Sequence, residues 1–405
     1  MKLTLRGRHR PLACYICGNP GFGKSSLIQR LALRDIRKGK GVCVIDPTGD
    51  LVNGLIRWIP KVRVADTIYF DTDHPFPIDF FSYRNRAERQ VLADQLLDIF
   101  NLENAPISRP RLQRIIGTLF DANENPDIPD EDRCTFLDIQ HFIENKTRRK
   151  RIISYCPHRE EQWAEFPKMS DLISIIERMT PFTESYTLKT MLEAKRPKLN
   201  IWDVMQEKRI FLVNLKDTPT DLFIGSLIAS KFQQAAFGRR YISEPQRTPY
   251  YLYIDECNTI LDYSTKYFEK ILLRARKYRL CLTLANQIPE DLPQNIQKKI
   301  GTLGTLVLFN LDTNNARIFK DRIAPFEIED LVNLGPFHAI CRTGNRVYRI
   351  KTPSFLGPSP ASYAKIIRKR TLDEYGCQPP KAPVDSKEDE PKPTGPPKAI
   401  PPHDS

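Results

Sequence analysis

Short, continuously apolar runs alternate with helical periods along the first part of this chain. Leu12–Cys17 (LACYIC) is apolar throughout and stops at Gly18, the pattern of a buried strand that ends in a turn. The next stretch, SSLIQRLALRDIRKGK, places Leu27, Ile28, Leu31 and Ile36 on a helical period, and Gly39 marks its end. Val42–Ile45 and Thr67–Asp71 (TIYFD) read as two further buried strands. No hairpin turn separates these strands, so the pattern predicts a parallel α/β sheet.

After Arg84 the period changes. From Ala87 to about Trp202 helical spacing dominates: AERQVLADQLLDIF, SRPRLQRIIGTLF, TFLDIQHFIENKTRRKRI and MSDLISIIERM, separated by polar loops such as ANENPDIPDED. Strands resume at RIFLVNL (209–215), YYLYIDE (250–256), LCLTLANQ (280–287), TLVLFNL and FHAICRT. Helices are expected between them in DLFIGSLIASKFQQAAFGRR, YFEKILLRARKY, DTNNARIFKDRI and IEDLVNL. The expected organisation is a first part of a sheet domain (1–85), an inserted helical subdomain (86–203), the second part of the sheet domain (204–374) and a disordered, Pro-rich tail (375–405).

Composition narrows the function. The chain has 405 residues, 40% hydrophobic and 27% charged, enough for one large domain with an insertion or for two domains. Its net charge of +13 favours polyanionic partners, nucleic acid first and anionic lipid second, although a solvated basic surface has the same composition. The basic run Lys146–Arg151, interrupted by Thr147, is either a solvated helix end or a phosphate contact. Nine cysteines are scattered; Cys14 and Cys17 form the one close pair and have no second pair to complete a zinc site, so buried thiols in a reducing compartment are expected. No run approaches the roughly 18 apolar residues of a membrane span. The N-terminus, MKLTLRGRHR, lacks the apolar core of a signal peptide, so a cytoplasmic location is expected.

The chemistry begins at GNPGFGKS, Gly18–Ser25, which fits the phosphate-loop pattern G-x-x-x-x-G-K-[ST] between a strand and a helix. Such a loop turns backbone N–H groups inward around phosphates and adds the N-terminal end of a helix. Gly18, Asn19, Pro20, Gly21, Phe22, Gly23, Lys24, Ser25 and Ser26 are the expected nucleotide-binding residues. Lys24 would reach the β- and γ-phosphates, and the Ser25 hydroxyl would join the Mg²⁺ shell. YYLYIDE delivers Asp255 at a strand end, where it would also face Mg²⁺, and Glu256 beside it would orient and deprotonate water. Gln287, at the tip of another strand, would sense the γ-phosphate or hold that water; a strand-end hydrogen bond is the plainer alternative. Arg276 could stabilise transition-state charge in a neighbouring subunit, an effect worth ~10³–10⁵ in rate elsewhere, or it could simply complement a helix dipole.

The ordered set GNPGFGKSSLI, VCVIDPTGDL, RIFLVNL, YLYIDE and ARKYRLCLTLANQ resembles the HerA/FtsK superfamily, and most of all its coupling-protein (TraG/TraD-like) ATPases of conjugation and type IV secretion, over about residues 9–350. The resemblance implies a RecA-like P-loop (ASCE) α/β fold, ATP and Mg²⁺ as cofactors, an Asp46-Pro47-Thr48-Gly49 turn after the second strand, an all-helical insertion, and a finger arginine at Arg276. It also implies a hexameric ring with DNA in a basic channel, recruited by a secretion or relaxosome partner. About 17 residues precede the loop, which leaves no room for the N-terminal membrane anchor usual in coupling proteins, so membrane attachment is expected through a partner. The leading expectation is a DNA-translocating ATPase. The alternative is a secretion or assembly ATPase that moves or remodels protein without binding DNA. A nucleotide kinase explains neither Gln287 nor the basic surplus.

Overall fold

The computed structural model describes residues 13–100, 107–261, 269, 272, 275–301, 303–354, 356–357, 359 and 361–376. It contains a nine-stranded sheet: β1 (Cys14–Cys17), β2 (Gly41–Asp46), β3 (Thr67–Asp71), β4 (Ile210–Asn214), β5 (Tyr250–Ile254), β6 (Leu280–Asn286), β7 (Thr305–Leu308), β8 (His338–Thr343) and β9 (Arg346–Lys351). The spatial order is β3-β4-β2-β5-β6-β1-β7-β8-β9. Every pair from β3 to β7 is parallel, and β8 and β9 continue the sheet antiparallel. This is the expected α/β fold with a mostly parallel sheet.

Both faces of the central strands are covered, which explains why they read as unbroken apolar runs. Alternate residues divide between two cores. Cys14, Ile16, Val42, Val44, Tyr251 and Tyr253 pack with the helices α1 (Lys24–Arg37) and α2 (Asp50–Ile56). Tyr15, Cys17, Cys43, Ile45, Leu252 and Ile254 face the other core. That core also takes in helices between residues 86 and 206: α3 (Arg86–Ile99), α4 (Ser108–Glu124), α5 (Asp138–Glu144), α6 (Lys146–Ser154), α7 (Ile173–Glu184), α8 (Tyr186–Leu192) and α9 (Ile201–Gln206). After β4 the chain continues in α10 (Pro219–Gly238), and α11 (Cys257–Leu261) begins directly after Glu256.

The helical segment is stitched where it leaves and rejoins the sheet. Ile78 and Leu199 form a parallel bridge, Asp79 N donates to Leu199 O at 2.9 Å, and Asn200 Nδ2 donates to Asp79 Oδ2 at 2.8 Å. Arg239, fully buried at the end of α10, ties α9 to the strands: Nη1 donates to Thr248 O (2.8 Å) and Tyr278 O (3.1 Å), and Nη2 to Met205 O (3.3 Å) and Gln206 Oε1 (3.2 Å).

Several expectations need correction. TFLDIQHFIENKTRRKRI is two helices rather than one, because the Asn145 side chain accepts from Arg148 N and starts α6 afresh. The basic run is largely engaged inside the fold. Arg148 bonds Asp132 and Asp138, Arg151 bonds Asp132, and Arg149 Nη1 donates to Phe142 O and Ile143 O at the end of α5. Lys146 and Lys150 remain exposed. DTNNARIFKDRI breaks into a helix at Thr313–Arg317 and a 3-10 turn at Lys320–Arg322. Strand β9 is a strand beyond those expected, although Gly344-Asn345 makes a two-residue hairpin before it. A final helix over Ala364–Tyr375 is also additional; it closes the β3 edge, where Thr371 Oγ1 accepts from Tyr69 N and Arg370 donates to Thr67 O. Half of YFEKILLRARKY, and the Pro-rich tail beyond Gly376, lie outside the described residues.

Replacing Arg239 with alanine leaves buried carbonyls without donors and is expected to cost roughly 3–5 kcal/mol. The check is the urea-unfolding midpoint; one equal to wild type would show that this buried guanidinium does not hold α9 to the strands.

Candidate active site

The phosphate loop is shaped by two glycines that admit no side chain. At Gly18 (φ +156°) a Cβ would lie 2.5 Å from Phe309 Cβ, and at Gly23 (φ +112°) 2.9 Å from the Phe337 ring. The loop is pinned from outside by Asn310, whose O accepts from Asn19 N (2.8 Å) and whose Oδ1 accepts from Asn19 Nδ2 (2.8 Å). Phe337, itself at φ +62°, donates its N–H to Phe22 O at 2.9 Å. The loop then runs into α1, so its N–H groups converge at a helix start. Buried Lys24 Nζ donates to Gly18 O (2.8 Å) and Asn19 O (3.5 Å), folded back over the loop it would serve. Pro20, Gly21 and Phe22 form the crest of the loop, and Ser25 and Ser26 open the helix.

The carboxylates arrive from β5. Asp255 is buried, accepts from Ser25 Oγ at 2.9 Å through Oδ2, and receives Glu256 N on Oδ1 at 3.1 Å. Glu256 adopts φ +40°, a conformation that costs a non-glycine residue of order 1–3 kcal/mol. The turn is held by Thr259, whose N–H (3.2 Å) and Oγ1 (2.8 Å) both donate to Glu256 O. The result of that turn is an aimed side chain: Gln287 Nε2 donates to Glu256 Oε1 at 2.7 Å. Gln287 is positioned in turn by its neighbours. Cys17 Sγ donates to Gln287 O (3.4 Å), Tyr15 OH donates to Asn286 Oδ1, and Asn286 Nδ2 donates to Ile288 O (2.7 Å). Burial pushes the Cys17 thiol up to about 12, so it acts here as a hydrogen-bond donor and not as a nucleophile. Among the described residues every cysteine is a buried thiol, as composition suggested, and no cluster of metal-ligating side chains occurs.

A residue that the sequence reading treated only as part of a turn belongs to this site. Asp46 ends β2 directly opposite Asp255 in the next strand, since Ile45 pairs with Ile254 and Asp255 N donates to Ile45 O at 3.1 Å. Asp46 is itself buried, bonded by Thr48 N, Thr48 Oγ1 and Val52 N. Burial, then the charges of Asp46 and Glu256, push Asp255 up to about 7 against the pull of Ser25 and Lys24. Burial also raises Asp46. The signal available in the sequence was the position of this acid at the end of an apolar run.

Arg276 stands apart. It is exposed on the 3-10 turn Ala275–Tyr278 that leads into β6, whereas Gln287 follows the other end of that strand. At about 3.3 Å per residue the strand itself separates the two by roughly 20 Å. The chain therefore brings Lys24, Ser25, Asp255, Glu256 and Gln287 together and leaves Arg276 at the opposite edge of the sheet.

The fold matches solved structures. The bacterial conjugative coupling protein TrwB, in its unbound form, superposes with a TM-score of 0.63 at 14% identity, over 88% of this chain and 88% of that one. TrwB in complex with ADP and Mg²⁺ gives 0.63 at 15% identity over 88% and 89%. VirB4 of Thermoanaerobacter pseudethanolicus gives 0.56 at 14% identity over 87% and 90%. No protein-family model and no curated protein matches the sequence. The fold is thus the RecA-like α/β fold of TrwB and VirB4. Among the described residues no helix is long and apolar enough to cross a membrane.

The sign of the Asp255 shift gives a test. A carboxyl that ionises near 3.8 when unfolded but near 7 when folded weakens folding progressively as pH rises through that window, and fully above it. Asp255→Asn is therefore expected to stabilise the nucleotide-free protein at pH 8 by an amount on the order of 1–4 kcal/mol, and to change little at pH 4. Thermal unfolding at both pH values checks this, and equal midpoints for variant and wild type at pH 8 would contradict the assigned environment.

Proposed function

We propose that this chain is an ATP-hydrolysing motor that works as a ring, most simply a hexamer, and moves DNA in transfer or secretion. The observation that carries the reading is the bond from Gln287 to Glu256, set beside Lys24 and the Ser25–Asp255 pair at one edge of the sheet. A phosphate loop alone binds nucleotide. A glutamate held by a strand-tip amide, one residue from a buried aspartate, has the form of a hydrolytic site.

The residues present suit ATP and Mg²⁺. The Ser25 hydroxyl and Asp255 carboxylate are adjacent oxygen donors, and Asp255 lies in an acidic, desolvated position that a cation would relieve. Gly18–Ser26 would hold the phosphates, with Lys24 exchanging its loop carbonyls for phosphate oxygens. When bound, Mg²⁺ supplies charge neutralisation at the phosphates. Glu256 takes the proton of the attacking water, and Gln287 fixes the carboxylate that does so. Arg276, remote from its own site, would reach the site of the next protomer. TrwB has been solved with ADP and Mg²⁺, with an ATP analogue and with a GTP analogue, which supports a nucleotide with Mg²⁺ as the ligand. The DNA part of the reading rests on the net charge of +13 and on the coupling-protein fold. The helices of 86–203 would form the inserted subdomain, and a membrane or relaxosome partner would recruit the ring from a cytoplasmic position.

A second reading, a secretion or assembly ATPase that moves protein, is favoured by one observation: the densest basic run spends Arg148, Arg149 and Arg151 on internal bonds. ATPase rate with and without single- and double-stranded DNA separates the two. The DNA reading expects stimulation that falls steeply as salt rises; a flat rate with both DNAs selects the protein motor.

Glu256→Gln is expected to bind ATP and lose roughly 10²–10⁴ in turnover. Arg276→Ala should bind normally and fail in turnover. Mixed rings of the two variants should regain activity at the interfaces where an intact Glu256 meets an intact Arg276. Mixtures as inactive as either parent would remove Arg276 from the shared site.

A further inference from the structure

The helical segment carries an open groove of about 570 Å³, apart from the nucleotide site. One wall is α3, which presents Arg86, Arg89 and Gln90 at i, i+3 and i+4. The other is α4, which presents Pro110, Arg114 and Gly117 at i, i+4 and i+7. The 3-10 turn Pro157–Trp163 closes the groove with Arg159 and Gln162. Helix faces with this spacing are usually the apolar ones by which helices pack. Here four guanidiniums line the groove, and among the described residues no carboxylate does. Gly117 belongs to the arrangement. Glycine inside a helix is unfavourable relative to alanine, but a Cβ at this position would lie 3.3 Å from Arg159 Nη2, so its absence leaves the guanidinium room against α4.

The counter-charge behind these arginines is short. Arg89 Nη2 and Arg159 Nε (2.6 Å) both donate to Asp121, and His158 Nε2 lies 2.8 Å from the same carboxylate. Glu124, 3.4 Å from Arg89 Nε, also accepts from Tyr83 OH. Arg114 donates to Gln162 O (3.2 Å) and has no ion pair with any described residue. Exposed Arg86 makes neither a hydrogen bond nor an ion pair with one. The neighbouring arginines are different: Arg111 pairs with Asp171 at 2.7 Å and Arg109 with Asp98 at 3.7 Å. Unneutralised charge is therefore concentrated in the groove.

We propose that this groove binds a compact polyphosphate, a small molecule with two or more phosphate groups, through Arg86, Arg89, Arg114 and Arg159. The guanidinium fork matches phosphate oxygens and keeps its charge at any working pH. The volume falls within the roughly 300–1,000 Å³ range of small-ligand pockets. Asp121 pre-orders Arg89 and Arg159, while Arg86 and Arg114 are free to close on a ligand. Four cations with so little counter-charge suit more than one phosphate. A nucleic-acid backbone, charged at every step of its length, would ask for free cations beyond the groove, where Arg109 and Arg111 are already paired.

The experiment titrates sodium tripolyphosphate calorimetrically, without Mg²⁺, into the full-length chain carrying Lys24→Ala, which silences the phosphate loop. The same titration is made after adding Arg86→Gln with Arg114→Gln, and separately after adding Lys146→Gln with Lys150→Gln, which removes two exposed charges elsewhere on the helical segment. The proposal expects tripolyphosphate to bind the Lys24→Ala protein, and the arginine pair of substitutions to weaken it about tenfold or more. The lysine pair should leave the affinity within about twofold. Arg86 and Arg114 hold no ion pair, so the thermal midpoint of their double variant should equal that of its parent, which separates lost contact from lost fold. No binding by the Lys24→Ala protein, or an affinity that the arginine substitutions leave unchanged, overturns the site. An equal loss from the lysine pair shows general attraction to a basic surface and overturns it too. So does a single-stranded oligonucleotide of about 20 residues that needs Arg86 and Arg114 where tripolyphosphate does not, because the groove is then part of a polymer track.

Discussion

The site depends on one constraint, the in-register parallel pairing of β5, β6 and β1. Cys17 pairs with Asn286, and Ile254 pairs with Leu284. Gly18 therefore leaves its strand level with Gln287, while Asp255 and Glu256 leave theirs within a residue or two of the same height. Parallel strands end at a common edge, so loop, carboxylates and amide emerge side by side although hundreds of positions separate them in sequence. Inserting β6 between the loop strand and the acid strand has a second effect. It sets the strand that leads into the loop and the strand that carries the acids two strand spacings apart, about 9.6 Å, and places Gln287 in the gap, where it bonds Glu256.

The same register explains the least comfortable feature of the site. Asp46 and Asp255 end adjacent parallel strands at the same level, both buried, with Glu256 one residue beyond. Like charges at neighbouring strand ends repel, and burial removes the water that would screen them. The protein offsets this with N–H and hydroxyl donors on Asp46 and with Ser25 on Asp255, yet Asp255 still sits near 7. An acidic pair so placed is costly to the protein alone and would be relieved by a cation, which is the behaviour the proposed nucleotide site calls for.

How much of this was legible in the sequence follows from range. The phosphate loop, the strand ending in Asp255-Glu256 and the strand ending in Gln287 are local patterns, each readable from its own ten residues. Asp46 was readable as a turn but not as a partner of Asp255, because strand neighbours are set by topology. The bond between Gln287 and Glu256 was hidden for the same reason. The basic run misled in the opposite direction: its partners Asp132 and Asp138 lie in the segment before it, and only the folded α5–α6 pair brings them underneath. The helix Ala364–Tyr375 carries few apolar residues, since it buries chiefly Ile367, Thr371 and Tyr375 and is held by polar bonds to the β3 edge. The segment at Leu356–Gly357 has no motif at all, and its place is fixed by Gln29 and Trp58, about 300 residues earlier.

The helical segment is not an appendage on this sheet, and α10 shows why. Gly225 lets that helix approach so closely that a Cβ would lie 2.9 Å from Leu215 and 3.2 Å from Ile260 of α11, the short helix that starts one residue after Glu256. Further along the same helix, Ser230 O accepts from Gln95 of α3, and Lys231 Nζ and Gln234 Nε2 both donate to Ser82 O, where the chain enters the helical segment. Its far end is locked by Arg239 to α9, where the chain returns. One twenty-residue helix, buried along most of its length, thus touches the short helix that follows Glu256 and both crossings into the helical segment. Interiors packed at this density do not deform locally. A rearrangement at Glu256 large enough to shift α11 must be taken up by α10 as a body, and through it by α3 and α9 together.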